Sequence, residues 1–208
     1  MNEKIIKQKR IFDLLFLALF IPLILPIFFI IYFCLFLCYG RHIIFKQGRT
    51  GYKGRPFFIY KFRTMRGDKD RFGNLLPDKY RITTFGKYLR SSSLDELPEI
   101  WNVIKGDMSI VGPRALPLIY TEYLTKEEMK RFFVRPGMTG LAQIKGRNCL
   151  TWEERFRYDL EYINNLSLIN DIKIILLTIW IVISSKGFIL DPESVMLNLD
   201  KERKAKII

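Results

Sequence analysis

The longest apolar stretch of the chain lies near its N-terminus. Residues 14–39 are 26 consecutive positions without a charged side chain. A helix of that length is about 39 Å long, which exceeds the roughly 30 Å hydrocarbon core of a bilayer. The stretch is longer than the apolar core of a signal peptide, and no small-residue cleavage site follows it. The pattern therefore predicts that this segment enters a membrane and remains there.

Two features indicate how the segment enters. Basic residues flank it on both sides, namely Lys4, Lys7, Lys9 and Arg10 before it and Arg41, Lys46, Arg49 and Lys53 after it. Positive charge favours the cytoplasmic side, so both flanks favour the same side. Pro22 and Pro26 each remove a backbone hydrogen bond inside the stretch. A kinked spanning helix tolerates such prolines, but the charge symmetry favours a re-entrant helix–break–helix over residues 1–40.

Beyond this stretch, apolar and polar positions alternate. The pattern predicts a short strand over residues 43–45, a glycine-rich turn over 48–54 and a second strand over 56–65. The two-residue period of a strand places Lys61 and Arg63 on one face of the second strand. A solvated sheet edge gives the same pattern, so this pair alone is weak evidence for a phosphate-binding site.

Helical spacing dominates the rest of the chain. A short amphipathic helix is predicted to end at Arg90, and the capping-box spacing at Thr125 and at Thr151 is typical of two further helix starts. A last helix is predicted over 171–185, with an uncharged core that is too short to span a bilayer. Both a core helix and an interfacial helix lying on the membrane fit this pattern.

Together these elements predict an α+β fold for a monotopic membrane protein. The N-terminal re-entrant helix occupies residues 1–40. A compact, mostly helical cytoplasmic domain with a small β-hairpin follows over 41–190. The remaining residues, 191–208, form a basic C-terminal tail, of which residues 201–208 are predicted to be loosely structured.

An adjacent pair of acids, Asp95 and Glu96, lies near the middle of the soluble part. The pair precedes Pro98, which is tolerated in the first turn of a helix, and helical spacing continues until Gly106. The acids therefore lie at the positive end of a helix dipole, beside backbone N–H groups without helical partners. Ser93 and Glu96 also have the spacing of a capping box, so this stretch alone favours helix capping over catalysis.

Charge and residue types narrow the chemistry. The 208 residues include 34 Lys and Arg against 21 Asp and Glu, a formal net charge of +13. This excess indicates anionic partners such as nucleic acid, anionic lipid or phosphorylated substrates. The three cysteines form no metal-like cluster, and the single histidine, His42, lies just after the apolar stretch. Histidine-dependent Ser or Cys catalysis is therefore disfavoured, whereas carboxylates among fixed cations favour phosphoryl transfer.

Five motifs carry a resemblance to a known family. They are YKFRTM (60–65), RSSSLDELP (90–98), KGDMS (105–109), VGPR (111–114) and RPGMTG (135–140). In this order they resemble the bacterial sugar transferases, the monotopic phosphoglycosyl transferases that start lipid-linked glycan assembly. The resemblance covers nearly the whole chain, whose length is similar to that of the minimal catalytic form.

The resemblance implies a transfer in two steps. Asp95 would be the nucleophile of the matching acidic pair: it would attack the β-phosphorus of a UDP-sugar, release UMP and hold the phosphosugar as an acyl phosphate. Undecaprenyl phosphate would then accept the phosphosugar. Glu96 would assist by positioning a metal ion or handling a proton. Mg²⁺ would be held partly by Asp95, and Asp159 is a further candidate ligand.

The resemblance also implies the binding residues and the setting. Basic positions of the family match residues that would contact phosphates or the nucleotide: Lys61, Arg63, Arg90, Arg114 and Arg147. The helix break is placed at residues 25–26. The small members favour an N-acetylated UDP-sugar as donor. The catalytic domain is expected on the cytoplasmic face of the bacterial inner membrane, with downstream glycosyltransferases as possible partners and no nucleic acid.

Two alternatives stay open at this point. A non-catalytic, membrane-anchored basic protein that binds nucleic acid or anionic lipid predicts binding that falls steeply with salt and survives loss of the carboxylates. A polyprenol-phosphate enzyme that forms a ternary complex predicts no release of UMP before the lipid acceptor is added.

Overall fold

The computed structural model describes residues 3–146, 150–184 and 198–205. Its helices are α1 (Glu3–Tyr39), α2 (Asp78–Arg81), α3 (Thr84–Ser91), α4 (Ile100–Lys105), α5 (Leu141–Gly146), α6 (Trp152–Asn164), α7 (Leu168–Ser184) and α8 (Leu199–Ala205). Its strands are β1 (Ile44–Thr50), β2 (Pro56–Phe62), β3 (Ser109–Val111), β4 (Leu116–Pro117) and β5 (Gly137–Thr139). Four 3₁₀ segments complete it: Tyr52–Gly54, Leu94–Glu99, Leu118–Tyr123 and Glu128–Phe133. The predicted α+β class is confirmed.

Helix α1 is one long apolar helix. It contains both Pro22 and Pro26, and the helical assignment is not interrupted at the predicted break. Within the part of the chain that the structure describes, it is the one helix whose length and composition suffice to cross a membrane. Side chains such as Leu19, Leu23 and Phe29 are exposed. The apolar middle of α1 is therefore available to lipid.

Both ends of α1 contact the rest of the molecule. Near the N-terminal end, Lys9 forms a buried ion pair with Asp171 of α7 at 2.5 Å. Near the other end, the Tyr39 and Thr83 hydroxyl groups lie 2.8 Å apart, and the buried Leu35 belongs to the same apolar cluster as Leu89 of α3. Between these ends, Leu17 is buried in the core and Phe28 packs on Phe62 with ring centroids 5.0 Å apart. One face of α1 thus contacts the domain at several points along its length, and the opposite face is exposed.

The sheet is built on the predicted β-hairpin. Strands β1 and β2 pair in antiparallel fashion, and β4 adds to the other edge of β1 in the order β2-β1-β4. The turn predicted over 48–54 begins too early, because β1 continues through Gly48 to Thr50. A Cβ atom at Gly48 would lie only 2.9 Å from Leu118 Cδ1, so the glycine permits close packing inside the strand.

The glycine-rich region after Arg135 is more regular than predicted. Strand β5 pairs in parallel with β3, and α5 follows at once. A Cβ atom at Gly137 would lie 2.1 Å from the backbone nitrogen of Gly112. The glycines therefore bring two backbone segments together, which a reading of local turn chemistry did not reveal.

Helices α6 and α7 agree with the sequence predictions. The capping box at the start of α6 is present in full: Thr151 accepts from the Glu154 backbone, and Glu154 accepts from the Thr151 backbone. Helix α7 buries Ile174 and Ile175 in the core and exposes Ile172, Leu176 and Trp180 among other apolar side chains. The prediction of a loose tail does not hold for residues 201–205, which are part of α8, and α8 packs on the domain.

Candidate active site

The acidic pair lies in a tight turn between α3 and α4. Ser93 adopts a left-handed backbone conformation with φ of 58°, which is uncommon for a residue other than glycine. The 3₁₀ segment Leu94–Glu99 begins directly after it and continues into α4. The side chain of Ser93 makes no cap hydrogen bond, so the capping box predicted for Ser93 and Glu96 is wrong. Glu96 is therefore free for another role.

Glu96 is held by two cations. Its Oε1 accepts from Lys61 Nζ at 2.5 Å and from Arg114 Nη2 at 2.6 Å. Burial opposes ionisation of Glu96, but the charges of Arg114 and Lys61 outweigh it and lower the pKa of this carboxyl well below its ordinary value. Glu96 is therefore ionised at neutral pH and fixes two of the predicted phosphate-binding side chains.

Asp95 has the opposite environment. It is only 9 % exposed, and it takes part in none of the ion pairs found among the described residues. Burial, with the neighbouring charge of Glu96, raises the pKa of Asp95 to about 6, although Lys61 and Arg90 oppose the shift. The carboxylate of Asp95 lines a large cavity. The structure thus places a buried carboxylate beside Lys61 and Arg90, and the role of Asp95 as nucleophile stays a prediction.

A third acid of the same turn, Glu99, was missed. It is 2 % exposed, and Lys61 Nζ lies 3.2 Å from its Oε1 without hydrogen-bond geometry. Burial, and then the charge of Glu96, raises the pKa of Glu99 above its ordinary value. In a 3₁₀ helix the side chains at positions i and i+3 eclipse each other. The spacing of Glu96 and Glu99 was thus the available signal that both acids face Lys61.

Two groups of residues line the cavity, which has a volume of about 840 Å³. The first group comprises the acidic pair and four of the predicted basic residues: Lys61, Arg63, Arg90 and Arg114. The second group lies along one face of α6 and comprises Trp152, Arg155, Phe156 and Asp159. The fifth predicted basic residue, Arg147, lies outside the described residues.

Helix α3 holds Arg90 at the cavity. The Nε atom of Arg90 donates to Thr64 Oγ1 at 3.0 Å. Gly86, one helical turn before Arg90, packs directly on the backbone of Thr64: a Cβ atom at Gly86 would be 2.1 Å from the Thr64 carbonyl oxygen. The segment after β2, which carries Arg63, and the helix that carries Arg90 are thus packed together without any intervening side chain.

Asp159, predicted as a metal ligand, has a cation partner. Its Oδ2 lies 2.7 Å from Arg131 Nη2, and both side chains are buried. Burial raises the pKa of Asp159 to about 6, against the opposing charges of Arg131 and Arg155. Within the described ranges no three acids, cysteines or histidines form a metal-binding group. Mg²⁺ commonly needs only one or two carboxylates when phosphate oxygens supply other ligands, so the cavity-lining Asp95 fits such an ion.

Comparisons with known proteins agree with this geometry. The family model described as bacterial sugar transferase matches residues 3–185. The uncharacterised sugar transferase EpsL of Bacillus subtilis is 44 % identical over 179 residues, which are 86 % of this chain and 89 % of EpsL.

Two longer relatives are similar over a smaller share of their own length. The galactosyl transferase CpsE of Streptococcus agalactiae is 42 % identical over 71 % of this chain and 36 % of its own length. The UDP-glucose:undecaprenyl-phosphate glucose-1-phosphate transferase of Xanthomonas campestris is 45 % identical over 65 % of this chain and 30 % of its own. The family model covers most of the chain, and the chain belongs to the bacterial sugar transferase family.

Proposed function

We propose that this phosphoglycosyl transferase moves a sugar-1-phosphate from a UDP-sugar to undecaprenyl phosphate through a covalent intermediate on Asp95. The observation that carries the proposal is the contrast within one turn. Glu96 is neutralised by Lys61 and Arg114, whereas Asp95 lines the cavity and has no ion-pair partner among the described residues. A carboxylate in that position is available to react with a phosphorus atom.

The reaction balances in two displacements. In the first, an Asp95 carboxylate oxygen forms a bond to the β-phosphorus, the bond from that phosphorus to the bridging oxygen breaks, and UMP leaves with the bonding electrons. In the second, a phosphate oxygen of the lipid attacks the same phosphorus and the acyl–phosphate bond breaks. This step regenerates the carboxylate and leaves the sugar on a diphosphate-linked lipid.

The surrounding cations stabilise the charge that develops on the transferred phosphoryl oxygens. Lys61 and Arg114 are positioned by Glu96, and Arg90 is positioned by Thr64. Asp95 and the substrate phosphates would hold Mg²⁺, which supplies further neutralisation of phosphate charge when bound. Asp159 lines the same cavity and is proposed as a secondary ligand.

The contacts that α1 makes with the domain from both of its ends and from its middle support a one-sided membrane arrangement. A helix that crosses the bilayer carries its ends to opposite faces, roughly 30 Å apart. Here Lys9 and Tyr39, from the two ends, both contact the same domain. We infer that the apolar middle re-enters on the side where it left, with the exposed face of α7 lying on the same surface. Cytosolic UDP-sugars and the basic flanks favour the cytoplasmic face of the bacterial inner membrane.

This arrangement is tested by labelling engineered thiols. In a variant without Cys34, Cys38 and Cys149, single cysteines replace Asn2 or Arg41, one beside each end of α1. In intact spheroplasts an impermeant maleimide should react with neither position, and both should react after lysis. Labelling of only one position before lysis would establish a spanning helix.

The sugar is proposed from the resemblance to the small family members. An N-acetylated UDP-sugar is the first candidate, whereas two relatives are named for glucose and for galactose transfer. The donor is therefore determined with a panel that contains UDP-glucose, UDP-galactose and N-acetylated UDP-sugars.

The proposal is tested by intact mass spectrometry of the purified protein in nanodiscs. The protein is mixed with Mg²⁺ and each UDP-sugar without lipid acceptor, and released UMP is measured in parallel. We expect a phosphosugar mass increment in the wild type that is absent in Asp95→Asn. Glu127→Gln is the matched control, because Glu127 is an exposed acid that pairs with Lys130 on the surface and is not among the residues that line the cavity.

The alternatives give different results in the same experiment. Product that forms only after undecaprenyl phosphate is added, without prior adduct or UMP, would indicate a ternary complex. Absence of any reaction, with salt-sensitive binding of nucleic acid or anionic vesicles that Asp95→Asn retains, would indicate the non-catalytic basic protein.

A further inference from the structure

The C-terminal helix α8 lies beyond the part of the chain that the family model matches. That match ends at residue 185, whereas α8 comprises Leu199–Ala205. Leu199 is nevertheless completely buried, at 0 % exposure. A seven-residue helix that buries a leucine in this way is an integral part of the packed domain.

Contacts of several kinds attach α8, and the residue before it, to the neighbouring 3₁₀ segments. Leu199 joins the apolar cluster that contains Tyr120. The side chain of Asn198, directly before the helix, accepts from the Tyr120 hydroxyl group at 3.0 Å. Near the other end, Arg203 Nη2 lies 2.7 Å from Glu128 Oε1. Apolar burial, a hydrogen bond and an ion pair thus fix α8 at one place on the domain.

The cluster under α8 is also the wall of the substrate cavity. Tyr120 packs edge-on against Trp152, with ring centroids 5.4 Å apart, and Trp152 stacks on Phe156 at 5.9 Å. Both Trp152 and Phe156 line the cavity that contains Asp95. A displacement of α8 therefore reaches the cavity through two aromatic contacts.

We propose that α8 is a positioning element of the cavity. It holds Tyr120 and Trp152 in place so that the α6 residues lining the cavity, called the wall below, bind a ring of the donor. This inference rests on the proposed function. Aromatic faces and the guanidinium group of Arg155, which lies 5.0 Å from the Trp152 ring, suit a flat or weakly polar ring. Two rings of a UDP-sugar offer a face for such packing: the planar uracil and the pyranose, through its C–H groups.

The test compares three variants of the full chain. Leu199→Ala removes the buried contact, Asn198→Ala removes the bond to Tyr120, and Lys201→Ala, at an exposed position of the same helix, is the matched control. For each, the KM and kcat for the donor panel, inhibition by UMP and the unfolding temperature are measured. We expect the KM of Leu199→Ala to rise about tenfold and that of Asn198→Ala about threefold, with kcat nearly unchanged.

The two inhibition results identify the ring. If inhibition by UMP weakens by about the same factor by which the KM of every donor rises, the wall positions the uracil. If UMP inhibition is unchanged while the ranking of the sugars changes, the wall positions the pyranose. Both results support the inference.

A lower unfolding temperature with unchanged KM, UMP inhibition and sugar ranking would overturn it, because α8 would then be only structural. Since Leu199→Ala opens a core cavity, Asn198→Ala decides the outcome if the first variant does not fold. A wild type without adduct or UMP release would instead contradict the proposed function itself, before any variant is compared.

Discussion

The molecule buries acidic side chains in two regions, and the partners of these side chains differ between the two regions. Where α1 meets the domain, Asp171 pairs with Lys9 at 2.5 Å and accepts from the Tyr162 hydroxyl at 2.7 Å. Asp13, one turn along α1 from Lys9, accepts from the Ser109 hydroxyl at 2.7 Å. In the turn before α4, by contrast, the buried Oε1 of Glu99 has no hydrogen-bond partner, and the buried Asp95 takes part in no ion pair found among the described residues.

This difference distinguishes acids that attach one element of the fold to another from acids that are placed to react. A buried charge whose oxygens all have partners is stable in one arrangement, and it resists displacement because a lost partner leaves an uncompensated charge. A buried acid that lacks full compensation is harder to ionise, and a reacting phosphorus or a metal ion stabilises its ionised form. Four predictions test this comparison.

The largest effect is expected for Asp95→Asn. Loss of the nucleophile should lower kcat by at least about 10³-fold. Because ionised Asp95 is buried beside Glu96, the variant should be at least as stable as the wild type at neutral pH. Parallel measurement of turnover and denaturant unfolding checks both expectations. A destabilised variant would indicate that Asp95 stabilises the fold, as we expect for Asp171.

Asp171→Asn should have the opposite profile. Removal of the partner of buried Lys9 should lower the free energy of unfolding by about 3–5 kcal/mol, as for other broken buried ion pairs. Turnover per folded molecule should change little. The matched control is Asp78→Asn, in an exposed pair, which should cost less than about 1 kcal/mol. Equal destabilisation in the two variants would contradict the attachment role.

Glu99→Gln should change how stability depends on pH. The pKa of Glu99 is raised to about 8 in the folded protein by burial and by Glu96. The unfolded chain releases this proton near pH 4.5, so the folded state binds more protons between about pH 5 and 8 and its stability falls as pH rises. The glutamine variant lacks this contribution. We expect it to gain about 3–4 kcal/mol relative to the wild type between pH 5 and 8, measured by denaturant unfolding. Parallel pH curves would show that Glu99 is ionised throughout.

The smallest effect concerns the rate of adduct formation. Asp95 attacks as a carboxylate, and burial, with the charge of Glu96, raises its pKa to about 6. The rate of the first displacement, measured by rapid quench and intact mass, should therefore fall about tenfold between pH 7 and pH 5. A rate that is constant down to pH 4 would mean that the neighbouring cations keep Asp95 fully ionised.

Sequence reasoning found those elements whose signals are local. Alternation predicted the β1–β2 hairpin, the capping box at Thr151 predicted the start of α6, and the motif around Asp95 predicted the acidic turn. The missed features depend on contacts that are distant in sequence. The pairing of β3 with β5 requires the approach of Gly112 to Gly137, and the burial of Leu199 requires a cluster assembled from three earlier segments.

The site was predicted in part for a related reason. Lys61 and Arg114 were found by motif, and the structure places both on Glu96. Glu99 was missed because its function depends on the distance to Lys61 rather than on its position in a pattern. Whether Asp159 faces a metal or only Arg131 also depends on tertiary contacts, which the sequence does not contain.

The contact at Gly86 has a consequence for mutational scans of this chain. Its backbone torsion is ordinary, yet every other amino acid would place a carbon 2.1 Å from the Thr64 carbonyl oxygen. A growth-based scan should therefore report Gly86 as intolerant as Asp95, although Gly86 takes no part in the reaction. A parallel scan of protein abundance would distinguish the two positions. Substitutions at Gly86 should lower the amount of folded protein, whereas substitutions at Asp95 should leave the amount unchanged and abolish activity.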